Sequence, residues 1–101
     1  MIRARRTDAN QVAIVAYLRG LGASVAITSA LGQGFPDLAV GFRGVNYFVE
    51  VKDGTRKLSD RRLTPDEQTW HAEWRGRVAV VESVEDILKL LEESDDETAG
   101  I

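Results

Sequence analysis

Between Ala9 and Leu21 the apolar positions fall at helical spacing. Val12, Val15, Ala16 and Leu18 trace one face, and Ile14, Tyr17 and Leu21 widen it. Asp8, followed three residues later by Gln11, can cap the start of this helix, and Gly20 with Gly22 can end it. Ser24 to Thr28 is short and β-branched, which predicts a strand. Two further extended runs, Asp37 to Phe42 and Val45 to Asp53, flank Arg43-Gly44, a two-residue hairpin signal. Gly54 to Arg62 is polar and basic, as a loop is. Thr64-Pro65-Asp66-Glu67 then opens a helix, with threonine as cap, proline in the first turn and glutamate closing a capping box. Gly76 stops that helix, Arg77 to Val81 predicts another strand, and Ser83 with Asp86 starts a last helix carrying Ile87, Leu88, Leu90 and Leu91. The order α-β-β-β-α-β-α predicts an α/β domain, a mixed sheet with helices packed on it.

The hairpin sorts its residues into two faces. If Arg43-Gly44 is the turn, Phe42 pairs with Val45 and Asp37 faces Glu50. Leu38, Val40, Phe42, Val45, Tyr47, Val49 and Val51 then form an apolar core face. The opposite face holds Asp37, Ala39, Gly41, Asn46, Phe48, Glu50 and Lys52, with its charges gathered away from the turn. Opposed Cβ atoms lie about 5 Å apart, so two carboxylates there need a shared proton or a cation between them. Lys52 supplies one positive charge. A hard divalent ion such as Mg²⁺ would supply two more, taking carboxylate oxygens, a backbone carbonyl such as that of Val51, water and phosphate oxygens.

Composition narrows the chemistry. The chain has 101 residues, 44% of them hydrophobic, the size of one domain. Residues 1–92 are expected to form it, with 93–101 an acidic, disordered tail. No apolar run approaches the ~20 residues of a membrane span, and no apolar segment follows the basic start. The expectation is a cytoplasmic protein, neither secreted nor membrane-bound. With no cysteine and one histidine, His71, disulfide frameworks, thiol nucleophiles and cysteine- or multi-histidine metal sites are excluded. A metal would have to be held by oxygen.

The net charge of −3 hides an asymmetry. Five acids lie in the last ten residues, so the remainder, with 13 basic and 11 acidic residues, is about +2. Arg3, Arg5 and Arg6 cluster at the start, and Lys52, Arg56, Lys57, Arg61 and Arg62 crowd one short window. Such clusters suit phosphate contacts as well as an ordinary solvated surface. The loop to Arg62 is the stronger phosphate candidate because it leaves the strand end bearing Lys52. Trp70 and Trp74, four apart on a helix, are expected in a core rather than stacked on bases, and His71 is expected to pack or face solvent rather than act as a base. The glycine-rich Leu31-Gly32-Gln33-Gly34-Phe35-Pro36 lacks the residues of a phosphate-binding P-loop.

Gly34-Phe35-Pro36-Asp37 followed by Glu50-Val51-Lys52 resembles the signature of PD-(D/E)xK nucleases. More narrowly, the chain resembles small stand-alone VRR-NUC nucleases, many carried by phages and similar to Holliday-junction resolvases. The matching pieces are Asp37 to Gly41, Tyr47 to Gly54, Leu63 to Gln68, and Val78 to Val81 with the helix after it, within residues 8 to 91. The resemblance implies a restriction-endonuclease-like core and Mg²⁺- or Mn²⁺-dependent hydrolysis of DNA, often branched or structured, in a bacterial or phage-infected cell. It implies Asp37 and Glu50 as metal ligands, Lys52 as the residue that positions or activates water and stabilises charge, and Gln68 as a glutamine reaching back to the site. Relatives often place a metal-binding glutamate on the first helix; here the candidates there are Asp8, Asn10 and Gln11. A single site that must cut two strands suggests a homodimer. The alternative is a non-cleaving nucleic-acid-binding or structural module of the same fold.

Overall fold

The computed structural model describes residues 9–99, with side chains to residue 93. The elements run α1 (Ala9–Gly20), β1 (Ser24–Ile27), a 3₁₀ turn (Ser29–Leu31), β2 (Leu38–Phe42), β3 (Val45–Val51), α2 (Leu58–Arg61), α3 (Pro65–Glu73), β4 (Val78–Val81) and α4 (Val84–Ala99). The predicted α-β-β-β-α-β-α order is therefore present, with the single-turn α2 added inside the segment expected to be loop. α4 runs past residue 92, where the acidic composition suggested a disordered tail. Once nucleated at a capped start, a helix extends at low cost per residue. That start is made by Ser83, whose hydroxyl accepts from the Asp86 N–H at 3.2 Å, while the Asp86 carboxylate accepts from the Glu82 N–H at 2.8 Å. No helix among the described residues is long and apolar enough to cross a membrane.

The sheet order is β1-β2-β3-β4, antiparallel except for the parallel β3–β4 pair. Parallel neighbours require a crossover, and the segment carrying α2 and α3 provides it. The hairpin has the register expected from its turn, with Phe42 opposite Val45 and Leu38 opposite Val49. Arg43 and Gly44 both adopt positive φ, 52° and 81°, as a two-residue turn matched to strand twist demands.

Leu38, Val40, Tyr47, Val49 and Val51 are buried on the predicted core face, where they meet Ile14, Val15 and Leu18 of α1, Val81 of β4, and Ile87 and Leu91 of α4. The buried stripe of α1 is Gln11, Ile14, Val15 and Leu18. Val12, expected on that face, is 58% exposed, and Ala16 is exposed with it. The helix is rotated from the expected orientation because a polar residue, Gln11, occupies one of the enclosed positions.

The other sheet face carries a second, aromatic cluster under α3. Phe48 of β3 meets Phe35, Trp70 and Trp74 edge-on at 5.3, 5.6 and 5.0 Å between ring centroids, and the two tryptophans stack at 4.7 Å. Trp70 is half-buried in it, whereas Trp74, at its edge, remains 43% exposed. This cluster fixes α3 over the sheet. Gly34 lets the preceding loop approach closely: with φ at +82°, its position leaves no room for a Cβ, which would lie 2.3 Å from the Asp66 carbonyl oxygen. The first turn of α3 therefore rests directly on the Gly34 backbone, beside Pro36 and Asp37.

Candidate active site

The main-chain bonding of β3 explains how the two carboxylates meet. Phe48 and Lys52 donate their N–H groups to Arg77 and Val81 carbonyls, at 3.0 and 2.9 Å. Glu50, in phase with them, directs its main chain toward β4, so across the hairpin it belongs to a non-hydrogen-bonded pair. Such pairs bring side chains closest together. Continued by one residue past the Leu38–Val49 pair, the register sets Asp37 against Glu50. The next position would pair Val51 with Pro36, which has no N–H to give the Val51 carbonyl. The Val51 N–H donates to Asp37 Oδ2 at 2.8 Å, which ties that carboxylate to the end of β3. The Asp37 carbonyl accepts from the Thr28 N–H at 2.7 Å, and the Thr28 hydroxyl donates to the Pro36 carbonyl at 2.8 Å. The Pro-Asp step is thus held from both sides.

Glu50 is 3% exposed, and its Oε1 is enclosed without a hydrogen-bond partner. Burial pushes its carboxyl up, the charges of Asp37 and Glu67 push it further, and Lys52 only partly opposes them; the result is a pKa of about 9. A buried carboxylate with an unsatisfied oxygen beside a second carboxylate is a site short of positive charge.

Lys52 lies 3.6 Å from Glu50 Oε2 and 2.8 Å from Glu67 Oε1. Burial alone would depress its ammonium, but the Glu67 hydrogen bond and the charges of Glu50 and Glu67 outweigh it, and its pKa is raised. Glu67 is opposed by burial and favoured more strongly by Lys52 and the Thr64 N–H, so its pKa is lowered. Its Oε1 accepts from Thr64 N at 2.8 Å while its own N–H donates to Thr64 Oγ1 at 3.2 Å, the capping box expected there. One carboxylate therefore closes the helix start and holds the lysine.

The structure brings Asp37, Glu50, Val51 and Lys52 together and adds Glu67. It does not bring Gln68, whose Nε2 donates to the Leu63 carbonyl at 3.0 Å on an exposed side of α3. Asn10 serves as a tie, donating through Nδ2 to the Lys52 carbonyl at 2.7 Å and the Glu82 carbonyl at 3.0 Å, so α1 clamps the ends of β3 and β4. Gln11 is buried in α1, and Asp8 lies outside the described residues, as do Arg3, Arg5 and Arg6. His71, one turn beyond Glu67, is half-buried against Trp70, and burial lowers its pKa.

Of the basic residues after β3, Lys57 and Arg62 are exposed, and Arg56 is loosely paired with Asp60 at 3.7 Å. Arg61 is more enclosed and bonds Glu82 at 3.0 Å, which anchors α2 to the end of β4.

Among the described residues no group of three His, Cys, Asp or Glu side chains is placed to hold a metal ion. Two carboxylates and main-chain oxygen nevertheless suit Mg²⁺, which keeps several waters and takes few protein ligands. Glu50 Oε1, buried and unsatisfied, is the observation that fits such an ion.

No family model and no curated protein matches the chain. A solved structure titled "VRR_NUC domain" is similar to it, with a TM-score of 0.61 and 35% identity over 81% of this chain and 89% of that one. At that identity and coverage, the chain belongs to the VRR_NUC family of nuclease domains.

Proposed function

We propose that this chain is a divalent-metal-dependent endonuclease that hydrolyses DNA phosphodiester bonds, with branched or structured DNA such as junctions and flaps as substrate. The observation carrying the metal-dependent reading is the Asp37–Glu50 pair, with Glu50 buried and short of positive charge beside a half-buried Asp37 at the point where Lys52 enters. Asp37, Glu50 and the Val51 carbonyl would hold Mg²⁺ or Mn²⁺. Such an ion supplies Lewis acidity toward a phosphoryl oxygen and toward the attacking water.

The chain's own residues do the rest. Asp37 is fixed by the Val51 N–H, so its carboxylate has a set direction. Lys52, with a raised pKa, stays an ammonium at neutral pH. It therefore acts by orienting water and stabilising negative charge on the phosphoryl group, and not by removing a proton. Lys57 and Arg62, with Arg56 and Arg61 beside them, contact phosphates along the strand that leaves the site. The family membership supports DNA as substrate. Two chains related by a two-fold axis would present two such sites to two strands, and the protein acts in the cytoplasm of a bacterial or phage-infected cell.

The test is cleavage of labelled four-way junction, flap, duplex and single-stranded DNA with Mg²⁺ or Mn²⁺ against EDTA. Products that need the metal, disappear in Lys52→Ala and are most abundant from junction or flap are expected. Intact DNA from folded protein that still retards it on a gel would make the chain a binding module instead.

A further inference from the structure

We propose that Glu67 is the positioning residue for Lys52, holding its ammonium off the Asp37–Glu50 pair so that the pair's oxygens stay open to a cation. This rests on the nuclease reading above and assigns a part to a residue that the sequence explains as a helix cap alone. Lys52 has two carboxyl groups within reach, and its contact with Glu67, at 2.8 Å, is shorter than that with Glu50, at 3.6 Å. All three side chains are largely enclosed, at 13% exposure for Lys52, 4% for Glu50 and 16% for Glu67. The competition for the ammonium is therefore decided inside the protein and not by solvent.

Without Glu67, an ammonium on a flexible four-carbon stem would move onto the Asp37–Glu50 pair, which lacks positive charge and whose Glu50 is the more enclosed of the lysine's two partners. It would then occupy the oxygens that a divalent ion needs. With Glu67 present, Glu50 Oε1 remains without a hydrogen-bond partner. Glu67 can hold the lysine because it is itself held: its Oε1 accepts from the Thr64 N–H as well, and the turn that carries it rests on the Gly34 backbone. Its reach to Lys52 spans 15 residues and two elements, which a cap alone does not require.

The cap and the lysine contact are separable. Glutamine at this position preserves a capping box but removes the charge, whereas Thr64→Ala weakens the cap and leaves the carboxylate. In Thr64→Ala we expect a melting temperature lower by a few degrees and kcat within about twofold of wild type. In Glu67→Gln we expect melting near that of wild type, KM within about twofold, and kcat lower by about 10- to 100-fold. A second readout is independent of activity: the ε-methylene protons of Lys52, two distinct NMR resonances when the side chain is held, should stay distinct in Thr64→Ala and merge in Glu67→Gln. Wild-type kcat in Glu67→Gln, unmerged resonances, or losses in both variants that simply follow melting temperature would overturn the assignment. Wild-type protein that cleaves no DNA with either metal would overturn the nuclease reading itself, and this inference with it.

Discussion

Replacing Glu50 by glutamine should stabilise the metal-free protein while removing cleavage. Glutamine keeps the shape and cannot ionise. In the folded chain the Glu50 carboxyl is buried against Asp37 and Glu67, and its pKa rises from 4.5 to about 9. The folded state therefore holds a proton that the unfolded state has released, throughout the window between those values. Stability from this proton is complete below about pH 4.5 and is lost as pH climbs toward about 9. The limiting slope is about 1.4 kcal/mol for each tenfold change in proton activity, so raising the pH from 6 to 8 removes at most roughly 3 kcal/mol. Glu50→Gln abolishes that slope and should exceed wild type by about 1–3 kcal/mol at pH 8, or roughly 5–15 °C in a domain of this size. Thermal melts followed by circular dichroism in EDTA at pH 6, 7 and 8 measure it. Parallel pH profiles for the two proteins, or a variant less stable than wild type at pH 8, would show that Glu50 carries no such proton. Mn²⁺ should then raise the melting temperature of wild type and leave Glu50→Gln unchanged, since only the folded wild type offers the site.

Other substitutions probe the supports of the site. Gly34→Ala puts a Cβ against the backbone of Asp66 at positive φ; a loss of about 2–4 kcal/mol in urea unfolding is expected. Asn10→Ala removes both ties from α1 to the strand ends, and denaturation should show a cost of about 1–3 kcal/mol. Trp70→Ala, at the centre of the aromatic cluster, should cost at least about 1 kcal/mol more than Trp74→Ala at its edge, measured in the same way. Lys57→Ala with Arg62→Ala should weaken DNA binding without altering sequence preference and lower the slope of log affinity against log salt by about 1 per lost phosphate contact.

What could be read from the sequence depended on how local its cause was. The hairpin register was legible because a two-residue turn leaves no freedom in which residues oppose each other, and the meeting of Asp37 and Glu50 followed from counting. Capping at Thr64 was legible for the same reason. Glu67 as a partner of Lys52 was not, since the cap already accounts for a glutamate at that place and the second contact depends on how α3 lies on the sheet. Gln68 is the converse case: motif position suggested that it faces the site, but the helix turns it to the Leu63 carbonyl. Hydrophobic spacing located α1 but misplaced its buried stripe, because Gln11 is enclosed and Val12 is not. α2 has too few residues for any periodicity, and its place is set by Arg61 reaching Glu82. Trp74 belongs to the aromatic cluster as expected yet stays at its edge, a matter of where the helix ends.

On the proposed function, the Asp37–Glu50 pair holds a divalent cation and gives up a proton to do so. Calorimetric titration of Mn²⁺ into wild type and Asp37→Asn, near pH 7.5 in two buffers of different ionisation enthalpy, tests both halves at once. Saturable binding to wild type, with close to one proton released per ion, and no binding to Asp37→Asn are expected. Absence of heat in wild type, or the same isotherm in both proteins, would contradict the proposal.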